Sequence, residues 1–409
     1  MSRIGIVGGG ASGLMAAYAA ATFGDNEVFL FEKNEKLGKK IYITGKGRCN
    51  VTNNCDSQEF FSNVVSNPKF LLSAINNFAP ADLMELLEDS GLRLKTERGN
   101  RVYPASDKAS DVTKYLEKII KEKGVRIMLN SEVSEILHND GSVCGLKCNG
   151  EEISLDKVII CTGGASYPAT GSTGDGYRFA VDVGHTITPI KPALVGIRLK
   201  GNEFADLQGL SLKNVRATVF EGNKRIFSDF GEMLFTHFGV SGPIILTASS
   251  MINRRDANSL TLSVDLKPAL SEEVLDARIL RDFSEQKNKD ISNALFGLLP
   301  RSLVGLVIKR SMIDPYKKVN EITVKERKAL VAVLKGLNFE IEGLRPIEEG
   351  IVTSGGVCVK EIDPKTMESK IIKGLYFAGE VLDVDALTGG FNLQIAFSTG
   401  YAAGRSVNT

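Results

Sequence analysis

The chain of 409 residues has no tryptophan, three histidines, six cysteines and twelve prolines. Each shortage excludes something. The histidines stand far apart and no Cys/His cluster has ligand spacing, so no metal site is expected. Six cysteines, mostly in strand-like segments such as Val143-Cys144 and Ile160-Cys161, are too few and too scattered for a disulfide framework. They read as reduced, buried thiols of a cytoplasmic protein. No run approaches the roughly 18 apolar residues that span a bilayer, and Met1-Ser2-Arg3 leads straight into a strand with no leader pattern, so neither export nor a membrane is expected. Neither sign of charge dominates. Fifty Lys and Arg face 49 Asp and Glu, a formal +1, so the whole-chain field announces neither nucleic acid nor membrane. Repeats and low-complexity tracts are also missing, and the length exceeds what one compact core holds, implying two or three domains.

Glycine is plentiful, 41 in all, and its placement organises the chain. Ile4-Gly5-Ile6-Val7-Gly8-Gly9-Gly10-Ala11-Ser12-Gly13 reads as a short apolar strand, a glycine loop and the start of an alanine-rich helix over 12–21. Gly8 allows the tight turn, Gly10 lets a pyrophosphate approach the backbone, and Gly13 lets the helix lie against a sheet. The helix start aims its free N–H groups and positive dipole end at the phosphates. A second apolar run, Glu27-Val28-Phe29-Leu30-Phe31, ends in Glu32, about twenty residues beyond Gly13 and placed to accept adenosine ribose hydroxyls. The glycine pattern alone is a weak signal. Strand, loop, helix, strand and acid in that order predict a dinucleotide-binding unit.

A polar, basic segment follows, with Lys33, Lys36, Lys39 and Lys40, and then Ile43-Thr44-Gly45-Lys46-Gly47-Arg48-Cys49-Asn50-Val51-Thr52-Asn53. Glycines flanking Lys46, next to Arg48 and two asparagines, give a backbone able to wrap an anionic or heterocyclic ligand; a solvated basic loop is the plainer reading. Residues 80–90 and 108–123 have helical periodicity, the second closing at Gly124. Residues 125–129, 133–137, 143–148 and 152–155 read as strands, the last three joined by Asn-Asp-Gly and Asn-Gly turns into an antiparallel meander. It leads to an apolar strand ending in Cys161-Thr162-Gly163-Gly164, where the chain meets the dinucleotide again.

From about residue 190 to 344 the character changes. Strand-like stretches at 194–199, 214–220, 225–235 and 260–266 precede helical ones at 272–286, 303–310 and 324–334. This predicts an inserted domain with a β part (about 190–268) and a helical part (about 269–335), set in a discontinuous domain of 1–189 and 345–409. The insert has more Lys and Arg than Asp and Glu, concentrated over 309–328, which suits either nucleic acid or a solvated face. Beyond it come Thr353-Ser354-Gly355-Gly356-Val357, an apolar strand ending in Ala378-Gly379-Glu380-Val381-Leu382-Asp383, and Thr388-Gly389-Gly390-Phe391-Asn392-Leu393, which opens a last helix rich in small residues.

The cradle with Glu32, the strand ending Cys161-Thr162-Gly163-Gly164 and the strand ending Ala378-Gly379-Glu380 together resemble the FAD-binding domain of the glutathione-reductase-like flavoproteins. The chain resembles more narrowly the bacterial flavoproteins described as BaiN-like, RdsA-like or aminoacetone-oxidase-like. The residues that carry this likeness are Gly45-Lys46-Gly47-Arg48-Cys49-Asn50-Val51-Thr52-Asn53, Gly231-Glu232-Met233-Leu234-Phe235-Thr236-His237, Ser241-Gly242-Pro243, Thr366-Met367-Glu368-Ser369-Lys370 and Thr388-Gly389-Gly390-Phe391-Asn392-Leu393-Gln394. The match covers essentially the whole chain. It implies an α/β fold, a Rossmann-like FAD domain carrying a β-rich insert with a small helical subdomain.

For FAD, the resemblance implies contacts from Gly8, Gly10, Ala11, Ser12 and Gly13 at the pyrophosphate and from Glu32 at the ribose, with the Val133 backbone at the adenine. Lys33, Lys40, Thr44, Gly45, Gly47, Arg48, Cys49 and Asn50 would line the cofactor, joined by Thr162, Gly163 and Gly164. Gly379, Glu380 and Asp383 would lie near the ribityl chain or phosphates. Amides of Gly390, Phe391, Asn392 and Leu393 would face the flavin pyrimidine edge, where reduced flavin carries negative charge.

The leading expectation is an FAD-dependent oxidoreductase acting on a conjugated double bond or an amine. The resembled family has been linked to steroid enone reduction, aminoketone oxidation and reduction of ribosomal RNA uridine to dihydrouridine, and the basic insert favours the RNA. With one dinucleotide fold, NAD(P)H would bind only transiently as reductant. A thiol–disulfide reductase using Cys49 and Cys55 is an alternative. Against it stand the C-x5-C spacing, the want of a second glycine-rich βαβ unit and of a His-Pro pair near the C-terminus. A third possibility is a flavin-bearing RNA-binding module without turnover. Candidate proton donors are His237, Cys49, which is also a candidate nucleophile, and Tyr167, with a structural histidine and a buried thiol as the plainer readings of the first two. The oligomeric state is left open.

Overall fold

The computed structural model describes residues 1–408 and divides into two compact units, residues 1–193 with 347–408, and residues 194–346.

The first unit is built on a parallel sheet in the spatial order Leu375–Phe377, Lys157–Ile160, Ser2–Val7, Asn26–Glu32, Arg126–Leu129. Covered on both faces, such strands are apolar runs without alternation. Ile4, Ile6, Leu30 and Phe31 are at most 1% exposed, and each stabilises the sheet by about 1.5–3 kcal/mol. The helix Ala11–Thr22 is buried along most of its length, which its alanines permit. It lies against the last helix, Phe391–Ser406, so closely that a Cβ on Gly400 or Gly404 would overlap the carbonyl of Ser12 or Ala16. The expected meander is present as Val133–Asn139, Ser142–Cys148 and Glu151–Ser154, and the expected helices as Pro80–Asp89 and Ala109–Glu122. Gly124, at φ 79°, closes the second of these, with the Val125 N–H donating to Ile120 O.

The second unit contains a closed barrel in the order Ile197–Leu199, Gly239–Ser241, Lys224–Thr236, Ser211–Glu221, Leu260–Asp265, Leu337–Leu344. The strand Leu337–Leu344 closes it by pairing with both Leu260–Asp265 and Ile197–Leu199. The sequence reading omits this strand, the strand Gly239–Ser241 and the helix Pro243–Ile252. The helical part comprises Glu272–Glu285, Arg301–Ser311 and Val324–Lys335, with a short helix at Ile291–Ala294. Ser271 caps the first, and a reciprocal Thr323 and Glu326 box opens the last. Among the described residues no helix is long and apolar enough to cross a membrane.

Candidate cofactor site

At the end of the first strand Gly8 turns at φ 106° and donates to Phe31 O at 2.8 Å. A Cβ on Gly8 would strike the Cys161 carbonyl, and one on Gly13 would overlap the Gly8 carbonyl. Both glycines are therefore required by the protein's own packing. Gly10 differs, because a Cβ there would meet nothing within 4 Å. Its open face adjoins the start of the helix Ala11–Thr22, whose first in-helix bond runs from Leu14 N to Gly10 O at 2.9 Å. The amides of Ala11, Ser12 and Gly13 precede that bond, and no acidic residue occupies the first turn. This is the arrangement an anionic pyrophosphate requires.

Glu32 is 8% exposed. Its Oε2 accepts the Gly9 N–H at 2.8 Å, and its Oε1 accepts the Asn34 N–H at 2.8 Å and Asn34 Nδ2 at 2.6 Å. The carboxylate is thus fixed at the lip of the glycine loop. Ser131 N donates to Glu32 O and Asn130 N to Asn34 O, bringing the start of the meander, with buried Val133, to the same strand end.

The segment after Glu32 turns through Gly38, Gly45, Lys46, Gly47 and Cys49, all at positive φ. Thr44 Oγ1 donates back to Ile41 O, and the Cys49 N–H to Thr44 O, which closes the loop. Lys40 Nζ donates to Ser166 Oγ at 2.6 Å and to Glu380 Oε2 at 2.8 Å, and Glu380 Oε1 accepts the Thr353 N–H at 2.8 Å. Four distant segments meet at this ion pair. Neither Ser166, two residues beyond Gly163-Gly164, nor Thr353, which opens the motif Thr353-Ser354-Gly355-Gly356-Val357, is given a role by the sequence alone. Lys33 Nζ bonds Asp175 Oδ2 and Thr173 Oγ1, both at 2.6 Å.

Arg48 departs from expectation. Its guanidinium pairs with Glu97 and Asp107 and lies over the Tyr103 ring, 4.2 Å from the centroid. It braces the loop instead of presenting a free anion contact.

Thr162 Oγ1 and Asn50 Oδ1 are buried with no hydrogen-bond partner. Gly164 is needed because a Cβ there would run into Thr353, and Gly163 takes φ 74°. Gly379, at φ 82°, has no room for a Cβ beside Ser12 Oγ. Asp383 is buried, its N–H donating to Val357 O and its carbonyl accepting Asn67 Nδ2. Gly390, at φ 100°, stands so close to the Thr52 backbone that only glycine fits. The last helix makes its first in-helix bond from Gln394 N to Gly390 O at 3.1 Å, so the amides of Phe391, Asn392 and Leu393 precede it. Asn392 locks the approach by accepting from Ala386 N and donating to Ala386 O. Gln394 holds the helix roll through Thr52, Phe78 O and Ser398, all buried.

The residues present fit FAD. Gly10 offers an open backbone face, two helix starts offer amides, Glu32 offers a fixed carboxylate, and two buried polar atoms lack partners.

The candidate proton donors separate. Cys49 is wholly buried, and burial pushes its thiol up to about 12 against a bond from Thr44. Burial likewise pushes Cys55 up to about 11, and both are free thiols. Both thiols are held protonated near neutral pH, which weighs against Cys49 as a nucleophile and against a disulfide reductase. Tyr167, at φ 52° and 36% exposed, precedes the turn Pro168–Thr170 in the same unit as the glycine loop. His237 lies in the other unit, exposed in the turn after Lys224–Thr236, its ring edge-on to Phe238. No cluster of metal ligands is found among the described residues.

The positive stretch 309–328 is largely ion-paired, which sequence counting could not reveal. Lys309 and Arg310 reach Glu203, Lys317 reaches Glu326, Lys318 reaches Asp290 and Arg327 reaches Asp276. Lys325 and Lys328 are exposed and without an ion partner among the described residues.

The model of the HI0933-like protein Rossmann domain matches residues 2–406. A 3-dehydro-bile acid delta(4,6)-reductase of Clostridium scindens is 33% identical over 99% of both chains. A ribosomal RNA dihydrouridine synthase of Haemophilus influenzae is 31% identical over 98% of both. Among solved structures, a 3-ketosteroid-delta4-(5alpha)-dehydrogenase from Rhodococcus jostii is similar in fold, with a TM-score of 0.51, 14% identity, and coverage of 100% of this chain and 97% of that one.

Proposed function

The chain belongs to the family of HI0933-like Rossmann-domain proteins and is an FAD-dependent oxidoreductase, and from that premise we propose that it uses NAD(P)H to reduce a conjugated C=C bond, with ribosomal RNA uridine as its substrate. One observation carries the reading. Two relatives that match nearly the whole chain, named as a delta(4,6)-reductase and a dihydrouridine synthase, both have names that denote adding two hydrogens across a carbon–carbon double bond. The exposed Lys325 and Lys328 support RNA over a small substrate. A cytoplasmic location follows from the reading, since NAD(P)H and ribosomal RNA are both there.

When bound, FAD supplies the hydride-transfer chemistry. The chain's own residues do the rest. Gly8, Gly10, Ala11, Ser12 and Gly13 would receive the pyrophosphate, and Glu32 the ribose hydroxyls, with Val133 at the adenine. Lys40 and Glu380, fixed by Ser166 and Thr353, would orient the ribityl and phosphate region together with Gly379 and Asp383. Amides at Gly390, Phe391, Asn392 and Leu393 would stabilise negative charge at the flavin's pyrimidine edge. Thr162 and Asn50 would give their partnerless oxygens to the cofactor. Tyr167 joins solvent exposure with membership of the cofactor unit, so its hydroxyl is assigned as donor of the proton that completes saturation of the double bond.

The test is anaerobic. The protein is reduced with NADH or NADPH, unmodified ribosomal RNA is added, and flavin reoxidation is followed together with dihydrouridine. Coupled appearance of the base supports the reading, and a flavin left reduced refutes it. A Tyr167→Phe variant should slow turnover about 100-fold, the low end of general acid catalysis, with FAD retained; an unchanged rate would remove Tyr167 from that role. The bile-acid reductase, at 33% identity, favours a second reading, a small enone substrate, which the same assay scores by substituting an enone for RNA.

A further inference from the structure

The helical part of the 194–346 unit holds two large side chains that core packing does not explain. Met312 is 88% exposed and Tyr316 78% exposed, whereas Ile313 between them is 4% exposed. A loose loop would make such exposure ordinary, but this loop is pinned. Met312 ends the helix Arg301–Ser311 in the left-handed conformation, φ 55°. Asp314 Oδ1 accepts the Tyr316 N–H at 3.0 Å, and Asp314 O accepts the Lys317 N–H at 3.1 Å. On the other side Ser292 N donates to Pro315 O at 3.3 Å, Ile291 N donates to Lys317 O at 3.0 Å, and Lys318 forms a bridge with Asp290. The backbone is held on both flanks of Tyr316, so the loop itself needs little further ordering to bind a flat partner.

The surroundings select the partner's charge. Five of the seven Lys and Arg in residues 309–328 are answered by carboxylates, which leaves Lys325 and Lys328 as the cations open to a ligand. The Lys317–Glu326 pair, 2.7 Å, holds the loop against the first turn of the helix Val324–Lys335, which carries the exposed and unpaired Lys325 and Lys328. A flat aromatic face and a polarizable thioether on the loop tied to the helix that carries two unpaired lysines fit a ligand that has planar rings on an anionic backbone. We propose that Tyr316 and Met312 form a platform on which a base of single-stranded RNA stacks, with Lys325 and Lys328 meeting adjacent phosphates. The proposal deepens the reading of RNA as substrate and rests on it.

The test is fluorescence anisotropy of a fluorescein-labelled, uridine-rich RNA single strand titrated with the full-length, FAD-loaded protein. Tyr316→Ala should weaken binding about tenfold, as loss of one stacked base does, whereas Tyr316→Phe retains it. Lys325→Ala with Lys328→Ala should flatten the salt dependence. Flavin reduction by NAD(P)H should be unchanged in each, because none of these residues lies in the cofactor unit. Equal affinity of the wild type and Tyr316→Ala overturns the proposal, even if the wild type makes dihydrouridine. A tenfold loss in a protein that makes no dihydrouridine would uphold the platform while refuting the substrate. Loss of binding to vesicles of anionic phosphatidylglycerol in Tyr316→Ala, with RNA affinity unchanged, would assign the surface to a membrane and overturn it as well.

Discussion

Two glycines three residues apart should respond to the same substitution in opposite ways. Gly10 has φ −82° and ψ −168°, an extended conformation open to any residue, and a Cβ there would meet nothing within 4 Å. Gly10→Ala should leave the apoprotein folded and stabilise it by about 0.4–1 kcal/mol, because alanine narrows the unfolded ensemble. The same methyl fills the face that a pyrophosphate would occupy. Losing two charge-assisted amide contacts, at about 1.5–3 kcal/mol each, costs about 3–6 kcal/mol, a weakening of FAD binding by more than 100-fold. Gly13→Ala instead drives a methyl into the Gly8 carbonyl, which cannot yield without moving the strand end. It should destabilise the apoprotein by about 1–3 kcal/mol. The assays are urea unfolding of the two apoproteins by circular dichroism and titration with FAD followed by quenching of flavin fluorescence. Gly10→Ala binding FAD as tightly as the wild type would refute the assignment of the loop.

Glu32→Ala removes the acceptor for Gly9 and Asn34 as well as the proposed ribose contact, and should weaken FAD retention by about 1.5–3 kcal/mol; unchanged flavin occupancy on gel filtration would exclude the ribose role. Cys49→Ser should keep most turnover, given a thiol that burial pushes up to about 12, and abolished turnover with flavin intact would restore the thiol chemistry. Burial lowers the pKa of His185 below its ordinary 6.5, with Glu361 opposing. The unfolded chain therefore binds the proton first, and stability should be full above about pH 6.5 and fall on acidification below it. Urea midpoints at pH 7.5 and 5.5 test the sign, and His185→Gln should flatten the difference.

Sequence made legible what is local. The glycine loop and Glu32 are read from spacing, and the meander from its Asn-Asp-Gly and Asn-Gly turns. The strand Leu337–Leu344 alternates buried and exposed positions and is legible in principle, but it follows directly on a helix and carries no element in the sequence pattern as read, where the helical part stops at about 335. The Lys40–Glu380 pair was beyond reach, since 340 positions separate its members and neither spacing nor charge marks one for the other. Arg48 and the 309–328 stretch show the same limit in charge. Cations can be counted along a chain, but whether a carboxylate answers each is decided by the fold.

The split of the cofactor unit across the chain bears on the order in which the protein is made. Residues 194–346 are contiguous, so their barrel can close while translation continues. The edge strand Leu375–Phe377 and the helix Phe391–Ser406, which packs on Ala11–Thr22, follow that unit in the chain and are synthesised after it. Until they emerge, the first helix has its flank of Ser12, Ala16 and Ala19 without its mate and the nascent sheet has an open edge, a target for chaperones. The proposed FAD contacts are divided in the same way, and the full set would come together only after residues 375–406 have joined the residues of the first strand and helix.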